Sequence, residues 1–281
     1  MKQLRELRIP NQNTNEKVVF NLQNNPQMTR LGLQNFKVDH IVFYGIRLFN
    51  FENLHPDFCL TIEELIMLFQ NGVTFRNLDS KICDDYGNFI RKNSKNQSLC
   101  ILETMETLPD NCVVVVGDMV INSEDERFLG KLIKTELLIG SLTIRNTNLE
   151  NLNYFYNLLG IVYLNGTRSD PIIRLISNAK LINSTLGSLS NIISHNANRT
   201  VLIQDNHPDI FKDNEGKCRI TTFDYDIFLY RMASEFVGGD CGERVDIIDE
   251  KKIEDESSGI EGSQLFLETS FIVFVISSKL E

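Results

Sequence analysis

Short segments of alternating apolar and polar residues recur through the middle of the chain. Three of them start at a glycine: GDMVIN from Gly117, GSLTIRN from Gly140 and GIVYLNG from Gly160, and TVLIQDN follows from Thr200. A strand-like segment that returns about every twenty residues is typical of a solenoid, in which each coil adds one strand to a parallel sheet. The period-two alternation predicts that one side of each strand faces a core.

Alignment of the three glycines predicts which side chains point inward and which point outward. The predicted inward columns are Met119, Leu142 and Val162, then Ile121, Ile144 and Leu164. The predicted outward residues are Val120, Thr143, Tyr163 and Leu202, with Arg145 as a polar rim. Exposed strand positions are usually polar, so this set indicates either a partner-binding face or a surface that another part of the protein covers.

The residues between the strands predict corners and short helical connections. Asn122, Asn146, Asn165 and Asn206 come directly after strand-like segments, where a sharp corner favours asparagine. Leu149, Leu152, Phe155 and Leu158 are spaced as the buried face of a short helix.

A second, longer repeat divides the chain. His-Pro-Asp occurs at His55 and again at His207, and each copy precedes two cysteines, Cys59 with Cys83 and Cys218 with Cys241. In the first copy Thr61 and Glu64 predict a capping box, followed by a helix with Leu65, Leu68 and Phe69 on its apolar face. We interpret His-Pro-Asp as a structural turn that precedes a helical cap on each of two tandem solenoids. The first module is short before its His-Pro-Asp, which predicts that its opening coils are missing.

Six cysteines form three plausible pairs, because Cys100 and Cys112 add to the two repeated ones. Even parity and repetition favour disulfides and an oxidising compartment. Six free thiols in a cytosolic protein are the alternative. The spacings do not match metal-ligand motifs.

Charge and the remaining candidate residues exclude several functions. The formal net charge of -10 argues against nucleic-acid binding, which needs clustered Lys and Arg. His40 and His195 stand without a spaced nucleophile or carboxylate partner, so we expect no catalytic, cofactor-binding or metal-binding residues, no small-molecule substrate and no enzyme activity. The apolar run near the C-terminus is interrupted by Glu268 and is too short for a membrane-spanning helix, so a transmembrane anchor is not expected in this protein.

Signals for export are mixed. Sequons for N-glycosylation occur at Asn96, Asn165, Asn183 and Asn198, a number that chance alone explains in a chain this rich in Asn, Ser and Thr. The segment MKQLRELRIPNQ lacks the apolar stretch of a signal sequence. A cytoplasmic location is expected if this start is genuine.

Several stretches together resemble the receptor L-domain family. They are CVVVVGDMVI from Cys112, LGKLIKTELLIGSLTIRNTNLENLNYFYNLLGI from Leu129 and VLIQDN from Val201. The resemblance covers residues 112 to about 217, and residues 1–58 resemble the later half of a second copy. L domains are leucine-rich, right-handed β-helical modules that occur in pairs in the ectodomains of insulin and epidermal growth factor receptors.

This resemblance implies a mainly β fold with short helices, built as two tandem solenoids, each with a disulfide-linked helical cap. The expected divisions are 1–58 (part of a first L domain), 59–99 (cap and linker), 100–217 (second L domain), 218–242 (cap), 243–263 (acidic disordered tail) and 264–281 (apolar C-terminus). It also implies an extracellular or membrane-associated glycoprotein that binds a growth-factor-like protein or peptide, without a kinase. The alternatives are an intracellular leucine-rich interaction scaffold and a non-functional truncated fragment.

Overall fold

The structure, a computed structural model, describes residues 6–9, 18–33, 35–38, 47–83, 99–166, 170–183, 186, 188–195, 200–210 and 236–240. The chain divides into two compact units, Met1–Val245 and Asp246–Glu281, and the second lies outside the described residues. The first unit is mainly β with a few short helices, as the sequence predicts. Cys218, Cys241, His40 and both ends of the protein also fall outside the described residues.

The described elements are short. The strands are β1 (Glu6–Ile9), β2 (Val18–Asn25), β3 (Asn35–Val38), β4 (Arg47–Leu54), β5 (Cys59–Leu60), β6 (Val73–Leu78), β7 (Lys81–Ile82), β8 (Leu99–Ile101), β9 (Val114–Val116), β10 (Met119–Ile121), β11 (Leu137–Ile139), β12 (Leu142–Arg145), β13 (Gly160–Tyr163), β14 (Ile173–Ile176), β15 (Asn191–Ser194), β16 (Val201–Gln204) and β17 (Phe236–Val237). Helix α1 is Ile62–Gln70, and two 3-10 helices span Glu126–Lys134 and Asn153–Phe155.

Three parallel sheets carry most of these strands. The outer sheet has the order β10-β12-β14-β16-β17, the middle sheet β15-β13-β11-β9-β8, and the N-terminal sheet β2-β4-β6. From β9 to β16 successive strands alternate between the middle and outer sheets. The pairs β1-β3 and β5-β7 complete the described strand pairing.

The middle sheet is buried on both faces. Val115, Leu138 and Ile161 join a core shared with the outer sheet. Val114, Leu137 and Val162 join a second core shared with the N-terminal sheet. Burial on both faces explains the apolar runs VVVV and LLI, because Val114, Val115 and Leu137–Ile139 are buried and Val113 and Val116 are partly buried.

The N-terminal sheet meets the middle sheet through phenylalanines and two side-chain hydrogen bonds. Phe49 packs against Phe20, Phe51 and Phe75 with ring centroids 5.2 to 6.1 Å apart. Asn191 in β15 donates from Nδ2 to the Val73 carbonyl oxygen at 2.8 Å. The ring of His195 lies between two carbonyl oxygens, with Nδ1 3.0 Å from that of Leu78 and Nε2 2.8 Å from that of Leu164.

One backbone conformation recurs at the ends of several strands. Among the described residues, five other than glycine have a positive φ of 53 to 57°: Asn24 and Asn53 at the next-to-last positions of β2 and β4, and Asn146, Ser177 and Asp205 directly after β12, β14 and β16. The predicted corner at Asn146 is therefore confirmed. Asn206 follows the corner residue Asp205 and is buried, where it joins a hydrogen-bonded ladder with Asn178 and Asp240. Asn122 accepts from the backbone N–H of Glu124, as a turn-forming asparagine does.

The predicted capping box is confirmed at helix α1. The Thr61 hydroxyl accepts from the Glu64 backbone N–H at 3.2 Å, and the Glu64 carboxylate accepts from the Thr61 N–H at 2.9 Å. Leu65 and Leu68 are buried, whereas Phe69 is partly buried and lies against Gly160 of β13.

Two of the three predicted cysteine pairs are disulfides. Cys59–Cys83 joins Cα atoms 5.1 Å apart and Cys100–Cys112 joins Cα atoms 5.7 Å apart. The segment closed by the first disulfide holds helix α1 and also strand β6, which extends the N-terminal sheet. Sequence analysis did not predict that strand.

The predicted columns are half right. Met119 pairs in register with Leu142 and Ile121 with Ile144, as predicted. The next members, Val162 and Leu164, are wrong, because β13 belongs to the middle sheet and Val162 pairs with Ile139. The outer columns continue instead through Ile173 and Leu175 of β14. Gly117 and Gly140 stand at corners between sheets, whereas Gly160 begins a strand, so the three glycines are not equivalent.

Candidate functional site

The face of the outer sheet that points away from the core carries one continuous row of side chains. Register places Val120, Thr143, Arg174, Leu202 and Val237 side by side on five neighbouring strands. Their sequence neighbours, such as Leu142 and Ile144, point into the core, because successive side chains of a strand alternate between faces. We call these five residues the outer row.

The outer row is open at one end and more closely packed towards its middle. The side chain of Val120 is 42% exposed, whereas Thr143 is only 8% exposed. Arg174, Leu202 and Val237 are half-buried. A second row follows two residues further along the strands, in which Arg145, Ile176 and Gln204 are neighbours. The face therefore combines aliphatic side chains with two arginines.

A tyrosine and two carboxylates border the outer row. Tyr163, at the end of β13, forms a side-chain hydrogen bond with Arg174 and is close enough to Asp118 and Asp170 to be affected by their charges. Burial is the main cause that raises the pKa of the Tyr163 hydroxyl above its ordinary value, and the two carboxylates raise it further. Arg174 opposes both effects. The phenol therefore remains a neutral hydrogen-bonding group at physiological pH.

Asp118 is held in place by the adjacent corner. Its Oδ1 accepts from the Ser141 backbone N–H at 2.7 Å and from the Ser141 hydroxyl at 2.9 Å. The backbone of Gly117 approaches Gly140 so closely that a Cβ on Gly140 would overlap the Gly117 carbonyl group. This close packing of two corners fixes the carboxylate at the margin of the outer row.

Four of the five residues predicted for a partner face lie on this face: Val120, Thr143, Arg145 and Leu202. Tyr163 does not belong to the row, since its strand is in the middle sheet, and it reaches the row only through Arg174. Thr143 offers little accessible surface. Sequence analysis missed Arg174, although the alternation in IIRLIS was a usable signal for the strand that carries it.

Both His-Pro-Asp turns have the same geometry. The Asp57 backbone N–H donates to His55 Nδ1 at 3.0 Å, and the Asp209 N–H donates to His207 Nδ1 at 3.1 Å. The residue after each aspartate donates from its own N–H to the histidine carbonyl oxygen, Phe58 to His55 and Ile210 to His207. The predicted structural turn is confirmed, and in both copies the histidine side chain accepts a local backbone hydrogen bond.

Other candidate chemistry is sparse in the described part of the protein. There, no group of three or more His, Cys, Asp and Glu side chains is placed to hold a metal ion. No described helix is long and apolar enough to cross a lipid bilayer. Of the four sequon asparagines, Asn165 and Asn183 are exposed, and Asn96 and Asn198 lie outside the described residues.

Comparison with known proteins gives one family. Residues 111–217 match the family model described as Receptor L domain, so this part of the protein is similar to ligand-binding, non-catalytic receptor modules that are typically extracellular. The match contains β9 to β16, the strands that build the outer face from Val120 to Leu202. No curated protein and no solved structure gives a significant match.

Proposed function

We propose that this protein is a non-enzymatic, extracellular binding module of the receptor L-domain type, whose outer row captures a growth-factor-like protein or peptide. The observation that carries the proposal is the outer row itself, in which Val120 and Leu202 share a register with Arg174 on the sheet face that points away from the core. Apolar side chains beside arginine and tyrosine are the composition that protein-binding surfaces favour.

The other large sheet surfaces support this assignment by contrast. The middle sheet has cores on both faces, and one face of the N-terminal sheet packs on the middle sheet. The outward face of the N-terminal sheet carries a polar ladder in which Asn77 donates to Asn50 and Asn50 donates to Asn21. The outer row is therefore the more apolar of the two open sheet faces in the described residues.

An extracellular location is supported by the two disulfides. Disulfides persist in oxidising compartments and are rare in the cytosol. A count of free thiols in protein from its native source tests this part of the proposal. Six reactive thiols would favour an intracellular scaffold instead.

We also propose that the alternation of strands between the middle and outer sheets is the right-handed β-helical coiling of an L domain. The N-terminal sheet and helix α1 would then belong to a second module, as the repeated His-Pro-Asp turn suggests. Support comes from the parallel pairing throughout and from the corner conformation shared by Asn53 and Asn146 in the two parts of the sequence.

The binding proposal is tested by a matched pair of variants of the full-length protein. Val120→Asp places a charge in the outer row, whereas Ile133→Asp changes an aliphatic residue of similar exposure, 51%, in the first 3-10 helix. Immobilised protein would be tested against a panel of insulin-like and epidermal-growth-factor-like peptides. We expect Val120→Asp to weaken capture by roughly tenfold or more, or at least 1.4 kcal/mol, and Ile133→Asp to leave it unchanged.

Thermal melting of both variants separates lost binding from lost folding. Capture that Val120→Asp leaves intact, in a protein that binds a peptide of the panel, would exclude the outer row as the binding surface. A protein that captures none of the panel would contradict the growth-factor class.

A further inference from the structure

The two Asn-Gly dipeptides of this protein have opposite surroundings. They are Asn71-Gly72, at the end of helix α1, and Asn165-Gly166, in the bend after β13. Asn-Gly is the dipeptide in which the asparagine side chain is most open to attack by the next backbone nitrogen, because glycine has no Cβ to obstruct the approach. The fate of each asparagine then depends on how its local structure holds these two groups.

Asn71-Gly72 is held at both reacting groups. The Asn71 side-chain amide donates from Nδ2 to the Met67 carbonyl oxygen at 2.8 Å. The Gly72 backbone N–H donates to the Phe69 carbonyl oxygen at 2.9 Å, and Gly72 has a φ of 65°. Attack would have to break both hydrogen bonds and reorganise the end of the helix.

Asn165-Gly166 lacks these restraints. Asn165 is exposed, and within the described residues no hydrogen bond holds either its side-chain amide or the Gly166 N–H. Gly166 lies against the Tyr163 ring so closely that an added Cβ would overlap the phenol. Packing against Tyr163 therefore requires glycine at position 166, and this glycine leaves the Asn165 side chain open to attack by the backbone nitrogen.

We propose that Asn165 is a site of deamidation, at which this protein spontaneously acquires a negative charge. The Gly166 backbone nitrogen attacks Cγ of Asn165, the bond between Cγ and Nδ2 breaks, and the amide leaves as ammonia with the proton from the Gly166 nitrogen. Water then opens the resulting succinimide at either carbonyl, which gives aspartate or isoaspartate. Water is the only co-reactant, and no oxidant or reductant takes part.

The new carboxylate would arise close in sequence to Tyr163, which borders the outer row. It would stand two residues after Tyr163, whose hydroxyl pKa is already raised in part by the charges of Asp118 and Asp170. Asn165 is also the acceptor of the sequon Asn165-Gly166-Thr167, so deamidation and glycosylation exclude each other. Only protein molecules that carry no glycan on Asn165 would then acquire the negative charge over time.

The test uses the full-length protein produced in bacteria with its disulfides formed, incubated in mildly alkaline buffer at physiological temperature. Peptide mapping by mass spectrometry follows the replacement of amide by acid at both sites, and enzymatic methylation detects isoaspartate. A short synthetic peptide around Asn165 gives the unrestrained rate. This test needs no ligand, so its result is independent of the proposed binding function.

We expect Asn165 to convert on the time scale of the synthetic peptide while Asn71 keeps its amide. In denaturant both asparagines should convert at similar rates, since only the fold distinguishes them. The proposal is overturned if folded Asn165 keeps its amide over the time in which the peptide converts. Equal conversion of Asn71 and Asn165 in the folded protein would overturn it as well.

Discussion

Asn178 is a buried asparagine whose side chain makes several hydrogen bonds. Its Oδ1 accepts from the Thr147 backbone N–H at 3.1 Å and from the Thr147 hydroxyl at 2.7 Å. Its Nδ2 donates to the Ile144 carbonyl oxygen and to Asn206 Oδ1. One buried amide therefore joins the segments that follow β12, β14 and β16, and Asn206 extends the contact to Asp240.

Removal of this amide should be costly. Asn178→Ala leaves the Thr147 donors and the Ile144 carbonyl oxygen without their partner, and we expect the free energy of unfolding to fall by roughly 2–4 kcal/mol. Asn148→Ala, at an exposed position nearby, is the control and should change it by less than about 0.5 kcal/mol. Urea denaturation measures both, and similar losses in the two variants would contradict the role assigned to the ladder.

Glu64 makes stability depend on pH. Burial raises the pKa of its carboxyl above the ordinary glutamate value, although the backbone N–H groups of Thr61 and Leu33 partly oppose this. The folded protein therefore binds the proton more tightly than the unfolded one. Its contribution to stability is fully present below the ordinary pKa and is lost as the pH rises through the raised value.

Glu64→Gln should abolish this part of the pH dependence, because glutamine does not titrate. Glu63→Gln, on the exposed side of the same helix turn, should retain it. Urea denaturation of the wild type and both variants at a series of pH values is the measurement. Equal slopes of unfolding free energy against pH in all three proteins would refute the assignment.

At the scale of elements, helix α1 and strand β13 are in such close contact, Phe69 against Gly160, that Gly160 has no room for a side chain. A Cβ added at Gly160 would overlap the ring of Phe69. Gly160→Ala should therefore lower the free energy of unfolding by about 1–3 kcal/mol.

A double-mutant cycle with Phe69→Ala isolates this contact. Removal of the ring first should make room for the new methyl group, so the loss in the double variant should be smaller than the sum of the two single losses. Thermal or urea denaturation gives the four values. Strict additivity of the two losses would show that the Phe69 ring moves away from the added methyl group at no cost in Gly160→Ala.

The predictable elements are those whose two faces differ. Strands β10 and β12 could be aligned from sequence because Val120 and Thr143 alternate with core residues. Strand β13 could not be aligned, since a strand buried on both faces has no polar side to indicate its orientation. Strand β6 was missed for another reason, because a short strand inside a disulfide-closed segment follows directly on a well-marked helix.

The residues of the candidate face were likewise predictable where a strand has one buried and one outward side. Val120, Arg145 and Leu202 follow from alternation within their own strands. Arg174 required the correct partner for β12, and no glycine stands directly before that partner strand in the sequence. The contact between Arg174 and Tyr163 joins two sheets and has no local signal in the sequence.

At the scale of the whole molecule, His195 links two layers. It follows β15 of the middle sheet, and its ring bridges the Leu78 carbonyl oxygen of the N-terminal sheet and the Leu164 carbonyl oxygen after β13. Because the contact crosses between layers, we expect His195→Ala to loosen the N-terminal sheet while the outer sheet stays intact.

Hydrogen–deuterium exchange resolves this effect by element. In His195→Ala the backbone amides of β4 and β6 should exchange faster, and those of β12 and β14 should be unchanged. The control is His207→Ala, whose side chain serves its own turn and should affect only residues around it. Faster exchange throughout the molecule would mean that the layers unfold as one unit.

The double burial of the middle sheet also sets an order of events during synthesis. The phenylalanines of the N-terminal sheet leave the ribosome first, while β15, which they help to bury, comes much later, as the 118-residue separation of Val73 and Asn191 shows. At bacterial to eukaryotic elongation rates, this interval lasts roughly 6–24 s. During that time the aromatic surface of the N-terminal sheet stays without β15, so the nascent polypeptide should depend on a chaperone that binds unfolded chains. We expect such a chaperone to bind nascent chains on ribosomes that are stalled before β15 is made.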